Sequence, residues 1–121
     1  GSLLYPALQA GETLNATVVN MRWAKPLDLE MLKQIAQTHD RLVTLEDGTR
    51  MGGAGAAVLE ALQDMGMSKS VLVIGFDDAF TEHGDPQTLM DQYGLTASGI
   101  QQRIQAYWSD VKVEPRLKRV V

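Results

Sequence analysis

The sequence predicts an α/β domain in which a mainly parallel sheet lies between two helical layers, an α/β/α arrangement. Three observations carry this reading. Arg41-Leu-Val-Thr-Leu-Glu46 and Val71-Leu-Val-Ile-Gly75 are apolar runs of strand length, the second unbroken, as in a strand covered on both faces. Between them Ala57, Val58, Ala61, Leu62 and Met65 recur at helical spacing, and Gly66 stops the pattern. Strands that alternate with helices imply parallel pairing through right-handed crossovers.

The other elements follow in chain order. Leu3, Leu4, Leu8 and Leu14 fall on one helical stripe, Pro6 fits the first turn, and Asn15 ends the helix. Thr17-Val-Val-Asn-Met-Arg22 then reads as a strand on its β-branched content. Opening on a helix that feeds a strand is unusual for this class. It implies that a strand ahead of Gly1 is missing or that Gly1-Ser2 is a cloning remnant, so the chain reads as a fragment.

Pro26 pushes Lys25 out of the helical region, and Asp28 can cap a helix whose buried stripe is Leu29, Leu32, Ile35 and Ala36. Residues 76–85 read as loop, and Pro86 opens a short helix that Gly94 ends. Thr96 caps a last helix, Ala97 to Trp108, with Ile100, Ile104 and Tyr107 or Trp108 inward.

Composition narrows the function. With 121 residues, the chain is one domain, residues 1–109, followed by a basic tail, 110–121. The domain carries 7 Lys and Arg against 13 Asp and Glu, a balance of −6, and the tail 4 against 2. An acidic body argues against a nucleic-acid surface, which needs clustered cations. The tail reads as a solvated end. There is no Cys, hence no disulfide and no thiolate metal site, which accords with a reducing compartment. No apolar run reaches the roughly 20 residues of a membrane span, so a cytoplasmic protein is expected.

The motif richest in chemistry is Glu46-Asp-Gly-Thr-Arg50-Met-Gly52-Gly53-Ala-Gly55. Gly53-Ala-Gly55-Ala-Ala-Val58, with Asp77 further on, partly matches a dinucleotide fingerprint. Val58 replaces its last glycine, and five residues separate Glu46 from Gly52 where a tight turn is required. Closeness of a helix start to a neighbouring backbone explains these glycines better. The same helix start can hold an anion, with Arg50 near enough to assist. Glu46 either accepts backbone N–H bonds in the loop or faces a neighbouring domain, the first being the better reading. The loop from Asp77 to Asp85, with His83, superficially suggests a divalent cation, but its spacing fits neither an EF-hand nor a His-Glu-x-x-His site and it reads as solvated. No catalytic constellation stands out.

Taken together, Val18-Val-Asn-Met-Arg22-Trp-Ala-Lys25-Pro-Leu-Asp28, Leu42-Val-Thr-Leu-Glu46, Met51-Gly-Gly-Ala-Gly55, His83-Gly84 and Gly94-Leu-Thr-Ala-Ser-Gly-Ile100 resemble the C-terminal, transketolase-like domain of the 1-deoxy-D-xylulose-5-phosphate synthase family. The resemblance covers about residues 3–108. It implies an enzyme that uses thiamine diphosphate and Mg²⁺ to condense pyruvate with glyceraldehyde 3-phosphate, releasing CO₂, at the head of the non-mevalonate isoprenoid pathway. It places the cofactor, the metal and the catalytic groups on other domains, so no catalytic, cofactor or metal residue is carried over. It also implies that this chain serves domain packing and homodimer assembly, inactive alone and with no cofactor bound to it. In the family this domain opens with a strand ending in Gly-Thr or Gly-Ser, so Gly1-Ser2 can be native.

The chain departs from the family at Glu46-Asp47-Gly48, usually Glu-Glu-Asn, and at Gly75-Phe-Asp-Asp78, usually Gly-Leu-Pro-Asp. Residues that would contact neighbouring domains or an anion are Arg22, Lys25, Asp28, Glu46, Arg50, Gly52, Gly53 and Gly55. Two other readings stand beside this one: a free-standing small-molecule or anion-binding module using the helix start at 52–55, and the equivalent domain of a transketolase or a 2-oxo acid dehydrogenase β subunit.

Overall fold

The computed structural model describes residues 1–79 and 83–113. Seven elements appear in the order α1 (Leu4–Leu14), α2 (Leu29–Thr38), β1 (Arg41–Thr49), α3 (Ala54–Asp64), β2 (Ser70–Phe76), α4 (Pro86–Gln92) and α5 (Ala97–Tyr107). β1 and β2 pair in parallel, Arg41 beside Ser70 through Leu45 beside Ile74. β1 runs past Glu46 to Thr49, and its register shifts between Leu45 and Thr49.

Alternation along the strands separates two cores. On one face Val43, Leu45, Leu72 and Phe76 pack with buried Ile74 against Leu3 and Ala10 of the α1 region and Leu95 and Ile100 of the α5 region. On the other, Leu42 and Val71 meet Val58 and Leu62 of α3 and Ala36 of α2. Helices thus cover both faces, as the sequence predicts. Ile74, Leu95 and Ile100 are the largest fully buried side chains, each contributing about 1.5–3 kcal/mol of burial.

Most helix boundaries follow from their caps. Asp28 accepts from the Met31 amide at 2.9 Å, Thr96 from Gly99 at 3.1 Å and Asp85 from Thr88 at 3.1 Å, each three residues on. Asn15 closes α1 in the left-handed conformation, φ 52°.

The expected strand 17–22 does not form. Among the described residues it makes no backbone hydrogen bond to β1 or β2, and the described sheet has two strands. Three of its side chains meet helical residues or a helix cap instead. Val18 packs where a Cβ on Gly11 would stand, Met21 joins the core cluster of α2 and α3, and Thr17 Oγ1 lies 3.0 Å from His39 Nε2. The stripe of α1 is also corrected. Ala10 and Gly11 are buried while Leu8 is exposed, because small residues permit the close approach of Val18 and α5. Leu29 is likewise exposed, and at the end of α5 it is Trp108, not Tyr107, that lies inward.

One cluster ties the helical layer to the sheet. Arg41 donates to both Asp110 oxygens at 3.0 and 2.8 Å and lies 5.5 Å over the Trp108 ring. The Trp108 indole donates to Ser70 Oγ at 3.1 Å. The first residues of both strands are therefore held to the end of α5. The hydrogen bond with Arg41 holds the Asp110 carboxyl below the usual carboxylate range. Of the basic tail, residues 114–121 lie outside the described residues, as do residues 80–82 of the acidic loop.

Candidate functional site

The sequence gathers its unusual residues where β1 gives way to α3, and the structure brings several of them together. α3 begins on Gly53, which offers no side-chain cap, and its first turn holds no acidic residue. Left alone, its first N–H groups would be unsatisfied. Glu46 reaches back from β1 to supply the missing acceptors. Its Oε2 accepts from the Ala54 amide at 2.9 Å and its Oε1 from Gly55 at 3.1 Å. A carboxylate here also opposes the positive end of the helix dipole.

This approach requires the glycines. A Cβ on Gly53 would stand 2.1 Å from Glu46 Oε2 and 2.4 Å from the Thr49 carbonyl oxygen. A Cβ on Gly55 would stand 2.5 Å from Thr44 Oγ1 and 2.7 Å from Val73 Cγ1. Close packing of the helix start against β1 and β2 is therefore what the glycine pattern encodes. The two N–H groups that an outside anion would use are already occupied by Glu46.

Arg50 sits on the loop between β1 and α3. Its amide donates to the Phe76 carbonyl at 2.9 Å, and its guanidinium pairs with Asp77. Asp77, the acid that completes the partial dinucleotide fingerprint, is thereby engaged by Arg50. Both side chains are substantially exposed, so the pair is screened by water and contributes little to stability. Gly52 adopts φ +71° with open space around it.

Arg22, Lys25 and Asp28 form a second group, on the turn before α2. Arg22 has φ +58°, Lys25 precedes a cis Pro26, and Asp28 is committed to its cap. No hydrogen bond or ion pair joins this group to the Glu46 cluster among the described residues.

Sequence reasoning missed Thr44, whose hydroxyl is buried beside Gly55 without a hydrogen-bond partner among the described residues. It also missed the hydrogen bond from Ser2 to Asp47 and the Arg41–Asp110 pair. These join residues 45 and 69 positions apart, and no local spacing signals them.

A family model described as Transketolase, C-terminal domain, matches residues 1–100. The chain belongs to the transketolase C-terminal domain family. Within it, the chain is 56% identical over 117 residues to the 1-deoxy-D-xylulose-5-phosphate synthase of Albidiferax ferrireducens, covering 97% of this chain and 18% of that protein. It is 60% identical over 104 residues to the synthase of the same name from Acidovorax ebreus, covering 86% and 16%. Among solved structures, a split gene transketolase described as an inactive beta4 tetramer superposes with a TM-score of 0.80 at 33% identity, covering 93% of this chain and 38% of that one. The chain thus spans less than a fifth of the length of these curated relatives. Membership of the transketolase C-terminal domain family bears out the resemblance and the fold class read from the residues.

Proposed function

We propose that this chain is the C-terminal domain of a thiamine-diphosphate-dependent 1-deoxy-D-xylulose-5-phosphate synthase. In this reading the whole enzyme is a cytoplasmic homodimer that joins pyruvate to glyceraldehyde 3-phosphate with loss of CO₂. The domain contributes packing against its neighbours and dimer assembly. The observation that carries the proposal is 56–60% identity to synthases over 86–97% of the chain. The lower identity to a transketolase, 33%, favours the synthase over the transketolase reading.

The described residues do not fit the cofactor. A metal-bound diphosphate needs clustered oxygen ligands and free N–H donors. Among the described residues no three of His, Asp and Glu gather in a way that could hold a metal, and Glu46 fills the start of α3. In this reading thiamine diphosphate and Mg²⁺ sit on the rest of the enzyme, and the chemistry supplied there belongs to the cofactor.

The free-standing anion-binding reading would have to displace Glu46 from two hydrogen bonds, and no observation favours it. Deletion of the matched segment from the Albidiferax synthase, followed by grafting of this chain in its place, tests the proposal. The deletion is expected to lose activity and assembly, and the graft to regain both. A deletion that keeps full activity would contradict it.

A further inference from the structure

We infer that the turn 22–26 docks this domain onto the remainder of the longer enzyme, with Trp23 seated in an apolar pocket rimmed by carboxylates. This rests on the proposed function and adds the surface used and the chemistry of its partner. Every residue of the turn is exposed, and Trp23 is 70% exposed. A single exposed apolar side chain is ordinary on a protein surface. This one differs because the backbone around it is fixed so as to present it.

Met21 and Leu27, the residues on either side, are packed against the cluster of Ala36, Leu42, Val58 and Leu62. Asp28 is pinned by its cap to Met31. Between these anchors Arg22 takes a left-handed conformation that a non-glycine residue disfavours. The Trp23 amide closes back on the Met21 carbonyl at 2.6 Å. The indole is thus held out on a rigid base, which lowers the entropy lost when a partner covers it.

Charge indicates what covers it. Arg22 and Lys25 are two of the seven basic residues of a domain with 13 acidic ones. Among the described residues neither has an ion-pair partner. An aromatic anchor flanked by unpaired cations is complementary to an apolar pocket with an acidic rim. The acidic body disfavours a phosphate backbone as the partner.

The grafted synthase provides the test, read by hydroxyl-radical footprinting of Trp23 against Trp108 in the graft and in the free chain. Trp23 is expected to label roughly fivefold or more slowly in the graft, as a desolvated anchor would. Arg22→Glu with Lys25→Glu should restore labelling, whereas Trp23→Phe should leave the graft assembled. An active graft in which Trp23 labels as fast as in the free chain overturns this inference alone. An unassembled, inactive graft overturns the proposed function and this inference with it. Protection that grows with concentration of the free chain would assign the turn to a second copy, and equally overturns it.

Discussion

Glu46 Oε1 lies 3.1 Å from the Gly55 amide nitrogen, nine residues along the chain, while Oε2 serves Ala54. One side chain at the end of β1 thereby satisfies two donors at the start of α3 and fixes how the helix leaves the sheet. Replacing Glu46 with Ala is expected to destabilise the domain by about 1–2 kcal/mol, the range for a lost cap that leaves buried donors unpaired. Glu46→Gln keeps one acceptor and should fall between. Urea unfolding of the three proteins checks the order, and equal midpoints would show that the Glu46 cap contributes nothing to stability.

Gly55→Ala tests the packing behind that cap. The new methyl group would meet Thr44 Oγ1 at 2.5 Å and Val73 Cγ1 at 2.7 Å, neither of them the free end of a long side chain. A loss of about 1–3 kcal/mol is expected from overpacking, visible as a lower thermal midpoint. At Gly66, past the end of α3, a Cβ meets nothing, and only its φ of +66° resists substitution.

Thr44→Val should act in the opposite direction. The Thr44 hydroxyl is buried with no hydrogen-bond partner among the described residues, so an isosteric methyl group removes an uncompensated polar atom. Stabilisation of about 1 kcal/mol is expected, read as a higher denaturation midpoint with an unchanged slope.

The Arg41–Asp110 pair gives a pH dependence with a definite sign. The hydrogen bond with Arg41 lowers the Asp110 pKa in the folded state. The folded state therefore binds a proton there less readily than the unfolded chain. The stability this lends is complete above the ordinary carboxylate pKa and is lost as pH falls from about 4 toward the lowered value. Asp110→Asn should flatten the acid limb of a thermal midpoint–pH profile, below the ordinary carboxylate pKa of about 4. A variant profile parallel to the wild type would contradict it.

Much of this was readable in the sequence because the signals are local. Asp28, Thr96 and Pro86 announce helix starts by chemistry within three residues, and Asn15, Gly66 and Gly94 announce stops. The run Val71 to Gly75 announces a strand, buried at Ile74 and Gly75 and half-buried before them. Residues 17–22 mislead because β-branched content shows a preference for extended backbone, not the presence of a neighbour to pair with. Leu8 and Leu29 mislead because a large apolar side chain does not by itself indicate a contact, while the inward positions of α1 belong to Ala10 and Gly11. At the site, loop capping by Glu46 was legible as the better of two readings, but the receiving amides were not. They depend on β1 continuing past Glu46 with a shift in register. The capture of Asp77 by Arg50 likewise depends on the loop folding back over Phe76.

If this chain works as a domain of a synthase, the Albidiferax enzyme carrying it in place of the matched segment should turn over. 1-Deoxy-D-xylulose 5-phosphate formation is expected within about tenfold of the parent, a loss of no more than about 1.4 kcal/mol in transition-state stabilisation. A graft that assembles as the parent does and yet forms no product would contradict it.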